Sequence, residues 1–420
     1  MGVTRRRDLL RAGLLAAAAA MPWRTRAAST ARVVVAGGGF AGAGCALALR
    51  RLAPGIDVTV VDPHPRYVTC PMSNAVIAEL RSLESITVTR AGIERAGVRY
   101  IEDSVTGIEA GKNVVRLLNG NPLAYDRLVI APGIRLLYGQ PEGYDRAAAL
   151  QMPHAWEGGP STRLLARYLK TVPDGGTVAI SVPAGLMRCP PGPYERASLI
   201  AYWLKAHRTR CKILIFDSNN HFPRQDAFSA SWAELYPGMI EWMPPAEGGT
   251  VTRVDVASRT LYSATGAHRV SLANIIPPQA PGLVAQINDL SSGHGWCPVD
   301  PVTFESQVVK HVHVIGDACI AGAMPKAASA ARSQALQCAA AICALLEDRR
   351  APVAEMDSVC YSLLSPASAL AMHGRFRISA DRIEQIEAGN GPETNTSATA
   401  AHVSEASAWY RNIRARCFGV

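Results

Sequence analysis

Short runs of β-branched and apolar residues recur along this chain, each ending in a glycine- or proline-bearing turn before a stretch of helical periodicity. Arg32 to Ala36 reads as a buried strand. Gly37-Gly38-Gly39-Phe40-Ala41-Gly42 follows, then a helical stretch from Ala43 to Leu52 and a second strand from Asp57 to Val61 that ends at Asp62. The segments Tyr125 to Gly133 and Val312 to Ala318 each carry one more apolar strand with a turn behind it. Gly176 to Val182 starts the alternation again, with a helix predicted from Tyr194 to His207 and a strand from Lys212 to Asp217. Pro193 falls at the first turn of that helix, a position proline tolerates. Beyond about residue 350 the pattern changes. Ala351 to Pro366 reads as loop and strand, Gly389 to Ala400 is rich in Gly, Ser, Thr and Asn, and Ala406 to Cys417 is predicted as a closing helix.

Strand, glycine loop, helix, strand and acid stand in the order of a dinucleotide-binding unit. Gly37 permits the tight turn, Gly39 lets the backbone approach a pyrophosphate, and Gly42 lets helix and strand pack closely. The helix N-terminus adds positive potential. Asp62, twenty residues after Gly42, is placed to accept hydrogen bonds from a ribose hydroxyl. Tyr125-Asp126-Arg127-Leu128-Val129-Ile130-Ala131-Pro132-Gly133 resembles a strand of the two-dinucleotide flavoproteins. Val312-His313-Val314-Ile315-Gly316-Asp317-Ala318 resembles their late Gly-Asp strand, whose aspartate holds the ribityl chain of FAD. The strand from Gly176 should open a second nucleotide-binding unit. The loop behind it, Pro183 to Pro193, has lost the glycine spacing and gained prolines, which offer no N–H to a phosphate. We therefore expect that domain to be present without NAD(P).

Composition changes the picture only in part. Of the formal charge of +9, six arginines set against Asp8 in the first 26 residues supply five, leaving about +4 for the rest. With no basic run or RNA-reading aromatic cluster elsewhere, no nucleic acid partner is expected. Arg6-Arg7-Asp8-Leu9-Leu10-Arg11, the apolar run Ala12 to Met21 and the small residues Ala27 to Ala31 form a twin-arginine export pattern. The run is much shorter than the ~20 residues a membrane span needs. A periplasmic protein exported in folded form, with no integral membrane segment, is the expectation. A chain of 420 residues can build its own core, so its ten cysteines are not required as a disulfide framework. Cys45, Cys338 and Cys343 lie in apolar helical stretches and read as buried small hydrophobes. Cys70, Cys189 and Cys360 have unusual settings. Cys189 precedes a helix, whose dipole would lower its thiol pKa. From the residues alone any of the ten could pair.

Four segments then carry a resemblance: Thr69-Cys70-Pro71-Met72-Ser73-Asn74, the stretch Arg188-Cys189-Pro190-Pro191-Gly192-Pro193-Tyr194-Glu195-Arg196, Gly295-Trp296-Cys297-Pro298-Val299-Asp300, and Cys360-Tyr361-Ser362. Together they resemble the flavoprotein subunit of flavocytochrome c sulfide dehydrogenase. The likeness runs from about Arg32 to Gly419 and takes in Trp409-Tyr410-Arg411-Asn412-Ile413. It implies an α/β fold of two Rossmann-like three-layer domains, glutathione-reductase-like, with a small α+β C-terminal domain. The expected division is an export segment over 1–30, an FAD-binding domain from 31–142 and 276–350, a second nucleotide-binding-like domain over 143–275, and a C-terminal domain over 351–420. FAD would sit on Gly37, Gly39, Gly42, Asp62, Gly133 and Asp317 and be bonded covalently to Cys70. Cys189 and Cys360 would form a redox-active disulfide beside the flavin. Glu195 reads either as the base that activates sulfide or as a charge partner of the helix N-terminus. Pro277-Pro278-Gln279 resembles a flavin-lining turn, and Trp409 reads as a flavin or interface aromatic or as a core residue. Sulfide would be the substrate and a c-type cytochrome subunit the acceptor. This chain has no Cys-x-x-Cys-His, so haem would sit on that partner. The related sulfide:quinone oxidoreductases use a membrane quinone and would want an amphipathic docking face. Ser404 to Val420 scatters arginines and aromatics without one.

Overall fold

The computed structural model describes residues 30–291, 293, 295–386 and 397–420. The expected export segment, apart from Thr30, and most of the Gly389 to Ala400 stretch lie outside the described residues. The first sheet is parallel and five-stranded, in the order Val312–Val314, Arg127–Ile130, Arg32–Ala36, Asp57–Val61 and Arg99–Ile101. All but the edge strand Arg99–Ile101 are buried on both faces, which is why those four read as continuous apolar runs rather than as alternation. Helices Phe40–Leu52 and Ala328–Leu346 pack on each other through small side chains. A Cβ added at Gly44 would lie 3.7 Å from that of Ala335.

A second parallel sheet runs Ile240–Met243, Lys212–Asp217, Thr177–Val182, Leu272–Ile275. The antiparallel pair Ile134–Leu136 and Gln279–Pro281 lies where the chain passes between the two sheets. A third, antiparallel sheet is built from Met356–Ser365, Ser368–Ser379 and Arg382–Gln385, and the helix Ala400–Phe418 packs on it. This last sheet is wedged between the other two. Phe376 and Ile383 join the core of the first sheet, while Leu364 and Leu370 join that of the second. The wedge carries Cys360 to the helix that follows Cys189. The expected α/β class, with an α+β C-terminal part, is the observed one.

Helix starts differ from the sequence reading in ways capping explains. The first helix begins at Phe40, because Gly39 is extended and its carbonyl already accepts from Ala43 N at 2.9 Å. The helix predicted from Tyr194 begins at Gly192, behind Pro191. The closing helix begins at Ala400 rather than Ala406, since the Thr399 hydroxyl accepts from His402 N at 3.2 Å.

Candidate functional site: a glycine cradle beside a cysteine pair

The glycine loop is pressed against the end of the neighbouring strand. Gly37 has φ +108°, and a Cβ there would lie 2.3 Å from Ala131 O. A Cβ at Gly42 would lie 1.9 Å from Gly37 O, so backbone packing admits glycine only. Gly39 differs. Its Cβ would meet just Tyr67, the hydroxyl at 3.5 Å and the ring at 3.6 Å, ordinary contacts, so no described protein atom demands glycine there. A close approach by a bound pyrophosphate is the remaining reason. Asp62 closes the loop, accepting from Gly38 N at 2.7 Å and from His64 N at 2.8 Å. A carboxylate keeps acceptor capacity beyond those two bonds.

Cys70, Gly133 and Asp317 converge on Arg188, a residue the sequence reading gave no role. Arg188 Nε donates to Asp317 Oδ2 at 2.6 Å, and its Nη1 stands 3.5 Å from Cys70 Sγ. A Cβ at Gly133, where φ is +62°, would lie 2.8 Å from Arg188 Nη2. The Arg188 amide donates to Gln279 Oε1 at 2.8 Å, while Gln279 Nε2 is buried without a partner. Tyr67, its phenol held neutral by burial, lies within reach of the charges of Cys70, Arg188 and Asp317. An open glycine, an acid at each of two strand ends and an orphaned buried donor are what a flavin dinucleotide would use. The residues present fit FAD.

The second half of the site gathers Cys189, Cys360, Glu195 and Arg196. Cys189 is held in the left-handed region at φ +53°, rare for a non-glycine residue. Its amide donates to Lys326 O at 2.8 Å. Trp156 packs at the same point, since a Cβ on Gly192 would lie 2.8 Å from the indole and 3.1 Å from Cys189 Sγ. Glu195 Oε2 accepts from Asn74 Nδ2 at 2.8 Å and Oε1 from Leu363 N at 3.0 Å, so the carboxylate bridges three elements. Burial raises its pKa despite those donors.

The expected lowering of the Cys189 thiol pKa is not what the structure gives. Burial pushes it well above the ordinary value, and Cys360, Glu195 and Cys70 push it further. The cost of removing a thiolate from water exceeds the field of one helix terminus. Cys360 is also pushed up by burial, to about 11, against hydrogen bonds from Ser329 and Ser358. All ten cysteines are thiols in the structure.

Arg196 is the counterweight, and the sequence reading passed over it as part of a motif. It is 2% exposed and, among the described residues, has only neutral acceptors: Asn74 Oδ1 at 3.0 Å, Asn274 Oδ1 at 2.9 Å, His154 O at 2.8 Å and Ala155 O at 2.6 Å. It stacks on Trp156, 4.9 Å from the ring centroid. A buried cation without a carboxylate costs several kcal/mol, and burial lowers the pKa of Arg196 to about 10, with the charges of Cys189, Glu195 and Cys70 opposing that shift. The cation thus lies within electrostatic reach of Cys189, Glu195 and Cys70.

Around the loop expected to have lost its phosphate site, the acid at the end of the second strand is already used. Asp217 is buried and accepts from Tyr194 Oη at 2.5 Å, Trp242 Nε1 at 2.9 Å and Asn219 N at 3.0 Å. Trp409 is partly buried, 6.0 Å from the ring of Tyr361, the neighbour of Cys360.

Known proteins resemble this arrangement region by region. Residues 31–148 match the family described as pyridine nucleotide-disulphide oxidoreductase. Residues 162–277 match the central region of the sulfide dehydrogenase [flavocytochrome c] flavoprotein chain, and 352–418 match the flavocytochrome c sulphide dehydrogenase flavin-binding family. A flavoprotein chain of that enzyme from Chlorobaculum thiosulfatiphilum is 62% identical over 47 residues, which are 98% of its sequence and 11% of this one. The sulfide-quinone reductase of Aquifex aeolicus is 29% identical over 183 residues, 43% of this chain and 41% of its own. The mitochondrial sulfide:quinone oxidoreductase of Mus musculus is 22% identical over 342 residues, 77% and 73% of the two chains. Among solved structures, the sulfide:quinone oxidoreductase of Aquifex aeolicus superposes with a TM-score of 0.72 at 18% identity, covering 93% of this chain and 92% of the other. The fold is therefore shared with the quinone enzymes, but the regions that surround the cysteine pair match the cytochrome-linked family. The chain belongs to the flavocytochrome c sulfide dehydrogenase flavoproteins.

Proposed function

We propose that this protein oxidises hydrosulfide through a Cys189–Cys360 disulfide, with FAD attached at Cys70, and passes electrons to a separate c-type cytochrome in the periplasm. The observation that carries the proposal is the neighbourhood of Cys189: a second thiol, a carboxylate and a buried unpaired guanidinium all act on one sulfur. In the oxidised pair, hydrosulfide attacks one sulfur, a persulfide bond forms, the Cys189–Cys360 bond breaks and the other sulfur leaves as a thiolate. Glu195 takes the proton that hydrosulfide formation or persulfide release sets free. Arg196 offsets the negative charge. FAD supplies a two-electron acceptor that can return electrons singly to one-electron carriers.

Covalent attachment at Cys70 is supported by its position, half-buried beside Arg188 and within the field of Asp317's partner. Peptide mass spectrometry is expected to find flavin on the peptide that contains Cys70; complete release of flavin by acid precipitation would overturn this.

The acceptor decides between the two enzyme classes. No helix among the described residues is long and apolar enough to cross a membrane. With sulfide as donor, the purified protein is expected to reduce a c-type cytochrome faster than a soluble quinone. The reverse order would assign it the quinone chemistry of its structural neighbour.

A further inference from the structure

The Gly295-Trp296-Cys297-Pro298 segment takes no part in the chemistry above, although it lies directly behind the Asp317 turn. Cys297 and Cys319 are partners in a parallel β-bridge. Cys297 N donates to Ala318 O at 2.9 Å and Ile320 N donates to Cys297 O at 2.8 Å. Adjacent strands place such partners about 4.8 Å apart with side chains on one face. That lies within the roughly 4.4–6.8 Å between Cα atoms that a disulfide spans. Both residues are buried, at 0% and 1% exposure.

Geometry rather than an activated thiol makes this pair competent to join, since Cys319 Sγ donates to Gly316 O at 3.3 Å and Gln334 Oε1 at 3.5 Å. Burial pushes both thiols up to about 12, and the Lys326 ammonium pulls against that shift in each. Cys297 lies within electrostatic reach of the Cys319 sulfur. Lys326 Nζ is fixed by Asp317 O at 2.6 Å and Cys319 O at 3.1 Å, and stands 3.7 Å over the Trp296 ring. Cys319 also lines a cavity of about 90 Å³ with Met187, Pro190, Trp296 and Gln334, roomy enough for a small inorganic sulfur species. Cys189 is tied to the same wall, through its bond to Lys326 O.

We propose that Cys297 and Cys319 form a second dithiol–disulfide couple, oxidised by the sulfur–sulfur bond of a polysulfide. The Cys319 thiolate, stabilised by Lys326, attacks a polysulfide sulfur; a cysteine persulfide forms and the shortened polysulfide leaves. The Cys297 thiolate then attacks the Cys319 sulfur, the Cys297–Cys319 bond forms and hydrosulfide departs. Of the two thiol protons one leaves on hydrosulfide and one passes to solvent; the pair gives up two electrons, and the cleaved polysulfide bond takes them. The bond pins the Trp296 loop to the residue two after Asp317 and stiffens the turn that presents that carboxylate. Only the choice of oxidant rests on the sulfide-oxidising reading.

The test uses the whole protein. It is reduced, desalted, exposed to sodium tetrasulfide, denatured, alkylated and digested with trypsin. Val270–Lys310 and His311–Lys326 are separate tryptic peptides, each with one of the two cysteines. They are expected to appear cross-linked after tetrasulfide and unlinked after a further reduction. Cys297→Ser should remove the link and leave Cys319 as a persulfide. Alkyl label on both cysteines after tetrasulfide, with no linked peptide, would overturn the proposal. The same digest reports the pair Cys189–Arg196 and Ala351–Arg375, so a failure of the active-site disulfide is read separately from a failure of this one.

Discussion

Replacing Cys189 by serine is expected to abolish reduction of the flavin by sulfide, a fall of roughly 10³-fold or more, while dithionite still reduces it. The size of the effect follows from what the side chain would do. Without its sulfur there is no disulfide to attack, no persulfide to form and no thiolate to leave, so the loss is of a route rather than of a contact. Serine is nearly isosteric, and the positive φ of Cys189 is a backbone property that the variant keeps. Its amide still donates to Lys326 O. Flavin content and thermal midpoint should therefore stay close to those of the parent, which separates chemistry from folding. Cys360→Ser should match it. An unchanged rate of flavin reduction in either variant would remove the disulfide from the route.

The two thiols are raised for the same reason that would favour the proposed disulfide. An enclosed thiolate has lost its water, and Cys189 also faces Cys360, Glu195 and Cys70. A disulfide carries no charge and feels none of this. In the proposed cycle each turn would put an anion on one of the two sulfurs, at a place that disfavours it. Arg196 would answer that need at Cys189, and its four neutral hydrogen-bond acceptors hold it there without cancelling its charge.

Much of this was legible in the residues, because glycine and alternation report backbone demands directly. The clash at Gly42 and the turn at Gly37 are properties of the local chain, and spacing alone pointed to them. The inner strands of the two parallel sheets followed from uninterrupted apolar runs, while Arg99–Ile101, Ile240–Met243 and Leu272–Ile275 were not read as strands. What spacing could not carry was convergence from distant segments. Arg188 reaches Asp317 across 129 positions, and Leu363 N reaches Glu195 across 168. The error over the Cys189 thiol has the same origin. A helix terminus can be read locally, but the burial that overrides it is made by Trp156 and by a strand far along the chain. Arg196 could have been suspected, as a charged residue followed directly by the mostly apolar run Ala197 to Ala201 of its helix.

Glu195→Gln tests the proton side of the same chemistry. The carboxyl is raised above the ordinary range of about 4.3 by burial, with Asn74, Leu363 and Arg196 acting in the opposite direction. A base works only when deprotonated. With a raised pKa, Glu195 is protonated and idle below that value and active above it, so the rate with sulfide should climb with pH through a limb displaced upward from a normal carboxylate. Glutamine keeps the size and one of the two acceptor oxygens, so either Leu363 N loses its partner or Asn74 Nδ2 is left with Gly192 O alone. The turnover rate is expected to fall by about 10²-fold, and the acid limb assigned to the carboxyl should vanish. The limb due to protonation of hydrosulfide itself remains in both proteins and serves as the internal reference. A variant that is merely loosened would lose rate evenly at every pH and keep the limb in place, and that result would return Glu195 to the role of a helix charge partner.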